Sequence, residues 1–208
     1  MKRIIGCYNK SVILTHIGII AALVGMAVCR LYDAAVICLI TAGICDLFDG
    51  AIARRCKRSE QEKAFGVQLD SLADLISFGA FPFVFLVNFV PDNAAFRIPA
   101  VVVGALYVLA AVTRLAWFNI TTEQNKGFYQ GMPVTYSALI IACIYPLSYL
   151  VEARIMSAVY IGVYLVMAGL FVLNFKVKKP RLPAYIAFSV LALAVTALIA
   201  LHWCGVIV

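Results

Sequence analysis

Seven apolar runs, near residues 11–29, 33–53, 68–90, 98–119, 133–151, 155–175 and 183–205, take up most of the 208 residues. A helix needs ~20 predominantly apolar residues to cross the hydrocarbon core of a bilayer. Runs of this length and spacing leave little chain for anything except spans and short connections. Lipid also offers no partner to an unpaired backbone N–H or C=O, which favours helices over irregular chain at that depth. The expectation is an all-α integral membrane protein, with residues 1–208 forming a single transmembrane domain. Composition agrees: 64% of residues are hydrophobic and 13% charged, where soluble domains average ~45–50% and ~25%. The first run lacks an evident small-residue cleavage site and further runs follow it, so it reads as a span and not as a signal peptide.

The basic residues orient such a bundle. With the amino terminus inside and seven spans, fourteen of the 17 Lys and Arg residues fall inside, while Arg30, Arg97 and Arg154 fall outside. Short connections rich in Lys and Arg stay in the cytoplasm, so the segment 54–67 is expected there. The net charge of +7 then reflects topology and attraction to anionic headgroups. Nucleic acid is not an expected partner, since no basic soluble face or reading module is present.

The seven cysteines (Cys7, Cys29, Cys38, Cys45, Cys56, Cys143 and Cys204) lie mostly in apolar runs without a CxxC pair. They read as small hydrophobes. His16 and His202 stand alone on separate runs and read as packing or polar contacts. Asn119-Ile-Thr121 matches a glycosylation acceptor but falls on the expected cytoplasmic side, which makes it a chance match.

Four of the six aspartates lie between Cys45 and Gly79. Asp46 and Asp49 are three apart at the end of the second run. Asp70 and Asp74 are four apart at the start of the third. Each pair shares one helical face, and the short connection makes the two spans antiparallel neighbours, so all four carboxylates can meet. Clustered anions repel, and an Asp at a helix centre in lipid costs ~2.5–3.5 kcal/mol even on the lenient scale. One or two divalent cations would remove that cost. Oxygen-only ligation suits magnesium, manganese or calcium, and magnesium accompanies phosphoryl chemistry. Snorkelling, or pairing with Arg54, Arg55 and Lys57, is the alternative. Gly50 and Ala53 follow Asp49 closely, and Gly66 precedes Asp70 by one turn. Their bare backbone would let a nucleotide or diphosphate approach, although tight helix packing uses the same residues.

The pattern Asp46-x2-Asp49-Gly50-x2-Ala53-Arg54-x11-Gly66-x3-Asp70-x3-Asp74 resembles the signature of the CDP-alcohol phosphatidyltransferases, with every position filled. That resemblance implies a six-helix core, usually dimeric, with a divalent-metal centre (Mg2+ or Mn2+) between the second and third spans. It also implies transfer of a phosphatidyl group from a CDP-linked lipid to a small alcohol with release of CMP. The seventh run, 183–205, is additional to that core. Asp46, Asp49, Asp70 and Asp74 become candidate metal ligands, and Gly50, Ala53, Arg54 and Gly66 candidate substrate contacts. The resemblance gives the general base to the last signature aspartate, Asp74. Its place one turn deeper than Asp70 on the same face suits that role, with a fourth metal ligand as the other reading.

The flanks resemble the phosphatidylserine synthase branch: "LDSLADLISFG" at Leu69–Gly79, "RLAWFN" at Arg114–Asn119 and "GFYQGMPV" at Gly127–Val134. Serine is the acceptor this implies, with CDP-diacylglycerol as donor. Trp117 stands where that branch commonly has an arginine. Arg114 could hold serine's carboxylate bidentately, with Ser71, Ser77 and Asn119 adding hydrogen bonds; snorkelling or a lipid phosphate for Arg114, and helix–helix bonding for the other three, are the alternative readings. Inositol phosphate or glycerol 3-phosphate are alternative acceptors, though phosphorylated alcohols would need a richer basic pocket. A cation transporter would place carboxylates near the midplane between broken helices, unlike these. A non-catalytic lipid-binding protein would not require all four. The expected setting is the cell membrane of a prokaryote, among membrane lipids, as a homodimer with its site facing the cytoplasm.

Overall fold

The computed structural model describes residues 6–7, 10–56, 58–121, 128–178 and 182–205. Seven helices follow one another: α1 (Lys10–Ala27), α2 (Tyr32–Arg55), α3 (Glu60–Phe89), α4 (Ala94–Thr121), α5 (Tyr136–Tyr149), α6 (Ala153–Val172) and α7 (Leu182–Trp203). Each apolar run is thus one helix. Five of them are long and apolar enough to cross a membrane, while Ser11–Ala27 and Tyr136–Tyr149 are shorter apolar helices. At 18 residues α1 is still ~27 Å long, close to the ~30 Å of a hydrocarbon core. Many large apolar side chains face outward, among them Ile20, Leu109, Leu150, Val166 and Leu193. Lipid, not water, is the solvent that suits such a surface.

The third helix departs from expectation. It begins at Glu60, not near residue 68, and runs without a break into the apolar segment. Residues 60–67, which precede the third apolar run, form its first two turns. Ser59 explains the start: its hydroxyl accepts from the Glu62 N–H while the Glu62 carboxylate accepts from the Ser59 N–H, a reciprocal cap.

Beyond Asp74 the same helix widens into one π-helical segment, Leu75–Ala80. Pro82 contributes to the cause, because it has no N–H to give the Phe78 carbonyl four residues back. The Tyr107 hydroxyl on α4 donates to that carbonyl instead, at 2.5 Å, and Tyr107 is fully buried. Tyr107→Phe should leave the carbonyl unpaired, at a cost of ~1–3 kcal/mol. The expected fall in unfolding midpoint in detergent is about 2–10 °C; an unchanged midpoint would mean the carbonyl has another partner.

Aromatic side chains fill the centre: Phe78, Phe81 and Phe85 of α3, Tyr107 of α4, and Tyr160, Tyr164 and Phe171 of α6 are all at most 2% exposed. α1 lies along α2, and α4 along α6. Gly25 permits the first of these approaches, since a Cβ there would sit 2.8 Å from the Cys38 Cβ. All seven cysteines are free thiols, as their apolar settings suggest.

Two features were not expected. Phe128–Gln130 and Lys176–Lys178 pair as a small antiparallel ribbon. Next to it the Gly131 and Met132 N–H groups donate to the Phe175 and Leu170 carbonyls. Gly131 sits at φ +72° with a would-be Cβ only 2.9 Å from the Phe171 carbonyl oxygen, so glycine is required there. This fastening delivers the chain into α5. The second feature lies at the opposite end of the bundle. Asp33 of α2 accepts from the Tyr145 and Tyr149 hydroxyls at 2.5 and 2.8 Å. His202 of α7 stacks on Tyr149 with ring centroids 3.6 Å apart, its Nδ1 3.7 Å from the Asp33 carboxylate. That cluster ties the last helix to the second, and His202 takes the polar-contact role expected of it.

Candidate active site

The four aspartates converge as their spacing suggests. α2 brings Asp46 and Asp49 to its last turns, and the capped turn at Ser59 sends α3 back alongside with Asp70 and Asp74. One carboxylate oxygen each from Asp46, Asp49 and Asp70 lie within 4.8 Å of one another. Asp74 is one turn deeper, and its carboxyl meets that of Asp46 within hydrogen-bonding reach. All four line one open cavity.

The donor set fits a hard divalent cation. It is all oxygen, from three residues at mutual distances that one or two ions can bridge. Among the described residues none of the four carboxylates is in an ion pair with a basic side chain; the pairs present are Lys63–Glu60, Arg97–Asp92 and His202–Asp33. Asp49 is only 4% exposed. The other three are half-buried, and carboxylates drawn together this way repel one another unless a cation lies between them.

Two supporting residues escaped the sequence reading. The Thr15 hydroxyl of α1 lies 2.5 Å from Asp49 Oδ2 and 3.0 Å from the Ser11 carbonyl oxygen. The Thr135 side chain is within hydrogen-bonding reach of Asp46. Such contacts orient metal-binding carboxylates. Nothing in its local sequence marks Thr15, which is one hydroxyl in an apolar run. Thr135 directly follows "GFYQGMPV", so the family-like flank pointed beside it.

Arg114 of α4 is 5% exposed and lines the same cavity. Its guanidinium lies 5.2 Å from the centroid of Phe118, a cation–π distance, and within the field of the Asp74 carboxylate. Its Nε is buried and has no hydrogen-bond partner among the described residues. An arginine that is buried, held by an aromatic face and left with a spare donor is a site for an anionic group.

The remaining candidates divide. Gly50 lines the cavity beside Asp49. Ala53 is half-buried on the next turn, outside the cavity wall. The Arg54 and Arg55 side chains lie outside the described residues. Gly66 faces Arg58, whose Nη1 would be 3.3 Å from an added Cβ. Ser71 donates to Asn119 at 2.9 Å, fixing α3 to α4 near the cavity without lining it. Ser77 is buried in the π-helical segment. Trp117 donates to Gln130 at 2.7 Å and holds the ribbon to α4. The rest of the wall is Leu47, Leu115, Phe118, Tyr129 and the stretch Pro133–Tyr136, closed by Tyr185 and Phe188 of α7.

Known proteins share this chain's sequence. The archaetidylserine synthase of Methanothermobacter thermautotrophicus is 36% identical over 113 residues, which are 54% of this chain and 46% of that one. The CDP-diacylglycerol–serine O-phosphatidyltransferase of Saccharomyces cerevisiae is 35% identical over 118 residues, 51% of this chain and 40% of that one. The protein of the same name in Methanocaldococcus jannaschii is 29% identical over 153 residues, 73% and 66% of the two chains. The chain thus spans about half the length of most curated relatives it matches. The family description CDP-alcohol phosphatidyltransferase matches residues 9–208, from before α1 to beyond α7. With the carboxylate cluster, the buried arginine and the membrane-spanning helices in one site, and that match across nearly the whole chain, the protein belongs to the CDP-alcohol phosphatidyltransferase family.

Proposed function

We propose that the protein transfers the phosphatidyl group of CDP-diacylglycerol to L-serine, giving phosphatidylserine and CMP. The observation that carries this reading is the convergence of three carboxylates within 4.8 Å in a cavity that also holds a buried arginine. Serine is favoured by the relatives whose names specify it, and by Arg114, the one basic side chain lining the cavity among the described residues. A phosphorylated acceptor would call for more positive charge.

In this account Asp46, Asp49 and Asp70 hold one or two divalent ions, magnesium or manganese. The ion would neutralise charge on the diphosphate and on the departing CMP. Asp74, beside Asp46, takes the proton of the serine hydroxyl. The hydroxyl oxygen then attacks the phosphorus that carries diacylglycerol, and the bond from that phosphorus to the CMP oxygen breaks. Gly50 and Ala53 leave room for the nucleotide, Arg54 reaches its phosphates, and Gly66 keeps the facing helix bare. Arg114 receives the serine carboxylate, with Ser71 keeping Asn119 in place below it. The site faces the cytoplasm of a prokaryotic cell, as the basic residues suggest, and the enzyme works as a homodimer among membrane lipids.

The test is a panel of radiolabelled acceptors supplied with one CDP-lipid to the purified protein and to Arg114→Lys. Serine should be incorporated in preference to inositol phosphate and glycerol 3-phosphate. A lysine cannot reproduce the two-pronged contact, so the serine KM should rise roughly 10- to 100-fold, the worth of a charged hydrogen bond, with CDP-lipid binding nearly unchanged. Preferred incorporation of a phosphorylated alcohol would displace serine. Loss of CDP-lipid and serine binding together would make Arg114 a diphosphate ligand.

A further inference from the structure

α7 contributes little to the core. Among its described residues only Ala192 and Ile199 are buried. Yet it is fastened at both ends: near the site Phe188 packs edge-on against Tyr136 at 5.6 Å, and at the far end His202 stacks on Tyr149. Between these fastenings lies a narrow apolar slot, walled by α2, α5 and α7. Small residues line it, with Gly43 on α2, Ala138 and Ala142 on α5 and Ala192 on α7, and Val195 lies deeper. The slot adjoins the carboxylate cavity: Leu47, Thr135, Tyr136 and Phe188 line both. From Phe188 to Val195 it follows α7 for ~10 Å.

We propose that this slot holds one hydrocarbon chain of the CDP-linked lipid, and that α7, through Ala192 and Val195, sets which chains the enzyme accepts. The inference rests on the reading of the cavity as a CDP-lipid site. Its geometry is that of an amphiphile: the diphosphate beside the carboxylates, and an apolar tail leaving past Thr135 and Tyr136 towards the bundle's middle. The four lining residues shared with the polar site favour the substrate's own chain over a bulk lipid or a second protein copy. A tail so held brings its apolar contacts to a fixed distance from the phosphorus, which positions the reacting bond.

The experiment measures KM for CDP-diacylglycerols with hexanoyl, decanoyl and octadecenoyl chains. It compares the wild type with Ala192→Trp, Val195→Trp and Leu193→Trp. Leu193 is 63% exposed, off the slot. Each methylene shut out of apolar contact costs several-fold in binding, so Ala192→Trp should raise the ratio of octadecenoyl to hexanoyl KM about tenfold or more. Val195, nearly one turn deeper, should admit decanoyl chains and discriminate only against longer ones. Leu193→Trp should leave the ratio at the wild-type value. Should Ala192→Trp fail to accumulate in the membrane, Ala192→Leu and Val195→Trp carry the same comparison. Unchanged ratios in the slot variants, or equal losses at every chain length, would overturn the slot. A change in oligomeric state with an unaltered ratio would also overturn it, pointing to a second copy on this face. Wild-type protein that releases no CMP from any of the lipids would overturn the CDP-lipid reading itself, and the slot with it.

Discussion

Asp74→Asn is expected to lower phosphatidyl transfer by ~10²–10⁴-fold, the usual worth of a positioned proton acceptor. The acceptor hydroxyl is a weak nucleophile until its proton is removed. Asp74 sits where removal would be useful, against Asp46 on one side and within the field of Arg114 on the other. Asparagine keeps the shape and loses the basic oxygen. The variant should therefore still bind CDP-diacylglycerol and metal, and kcat should carry the loss. Equal losses of metal affinity in this variant and in Asp46→Asn would make Asp74 a fourth ligand instead.

The second large effect is expected at Asp46. Its carboxylate oxygen is one of the three within 4.8 Å, and its side chain also touches Thr135 and Asp74. In the proposed account it therefore joins the metal-holding group to the base. Asp46→Asn should weaken metal binding by more than the ~10–100-fold typical of losing a supporting contact alone, and turnover at fixed metal should fall with it. Titration of manganese into the purified variant, followed by its paramagnetic signal, reads the affinity. Wild-type affinity in Asp46→Asn would place the ion elsewhere.

Much of the fold was legible because lipid leaves a chain few options. Each apolar run of about one bilayer thickness became one helix. The misplaced start of α3 has a clear cause: hydropathy reports where lipid begins, whereas Ser59 and Glu62 report where the helix begins, and the second signal is a two-residue pattern. The carboxylates were legible because spacings of three and four on two antiparallel helices leave one way for all of them to meet.

Other parts of the site depend on contacts far apart in sequence. Thr15 reaches Asp49 across 34 positions, and Tyr149 reaches Asp33 across 116. A single hydroxyl in an apolar run carries no periodic signal, so neither partner could be chosen. The ribbon of three residues on each strand is too short for alternation to stand out. It is held as much by the Gly131 and Met132 N–H groups, which donate to the Phe175 and Leu170 carbonyls, as by its own pairing. Ser71, a candidate substrate contact, bonds to Asn119, a partner set by the packing of α3 on α4.

The most direct test of the account is CMP release from CDP-diacylglycerol and serine by the purified protein, before and after stripping with a chelator. The account predicts no release in chelator, recovery with magnesium or manganese, and one phosphatidylserine formed for each CMP. Full turnover in chelator, with no metal retained on the protein, would contradict it.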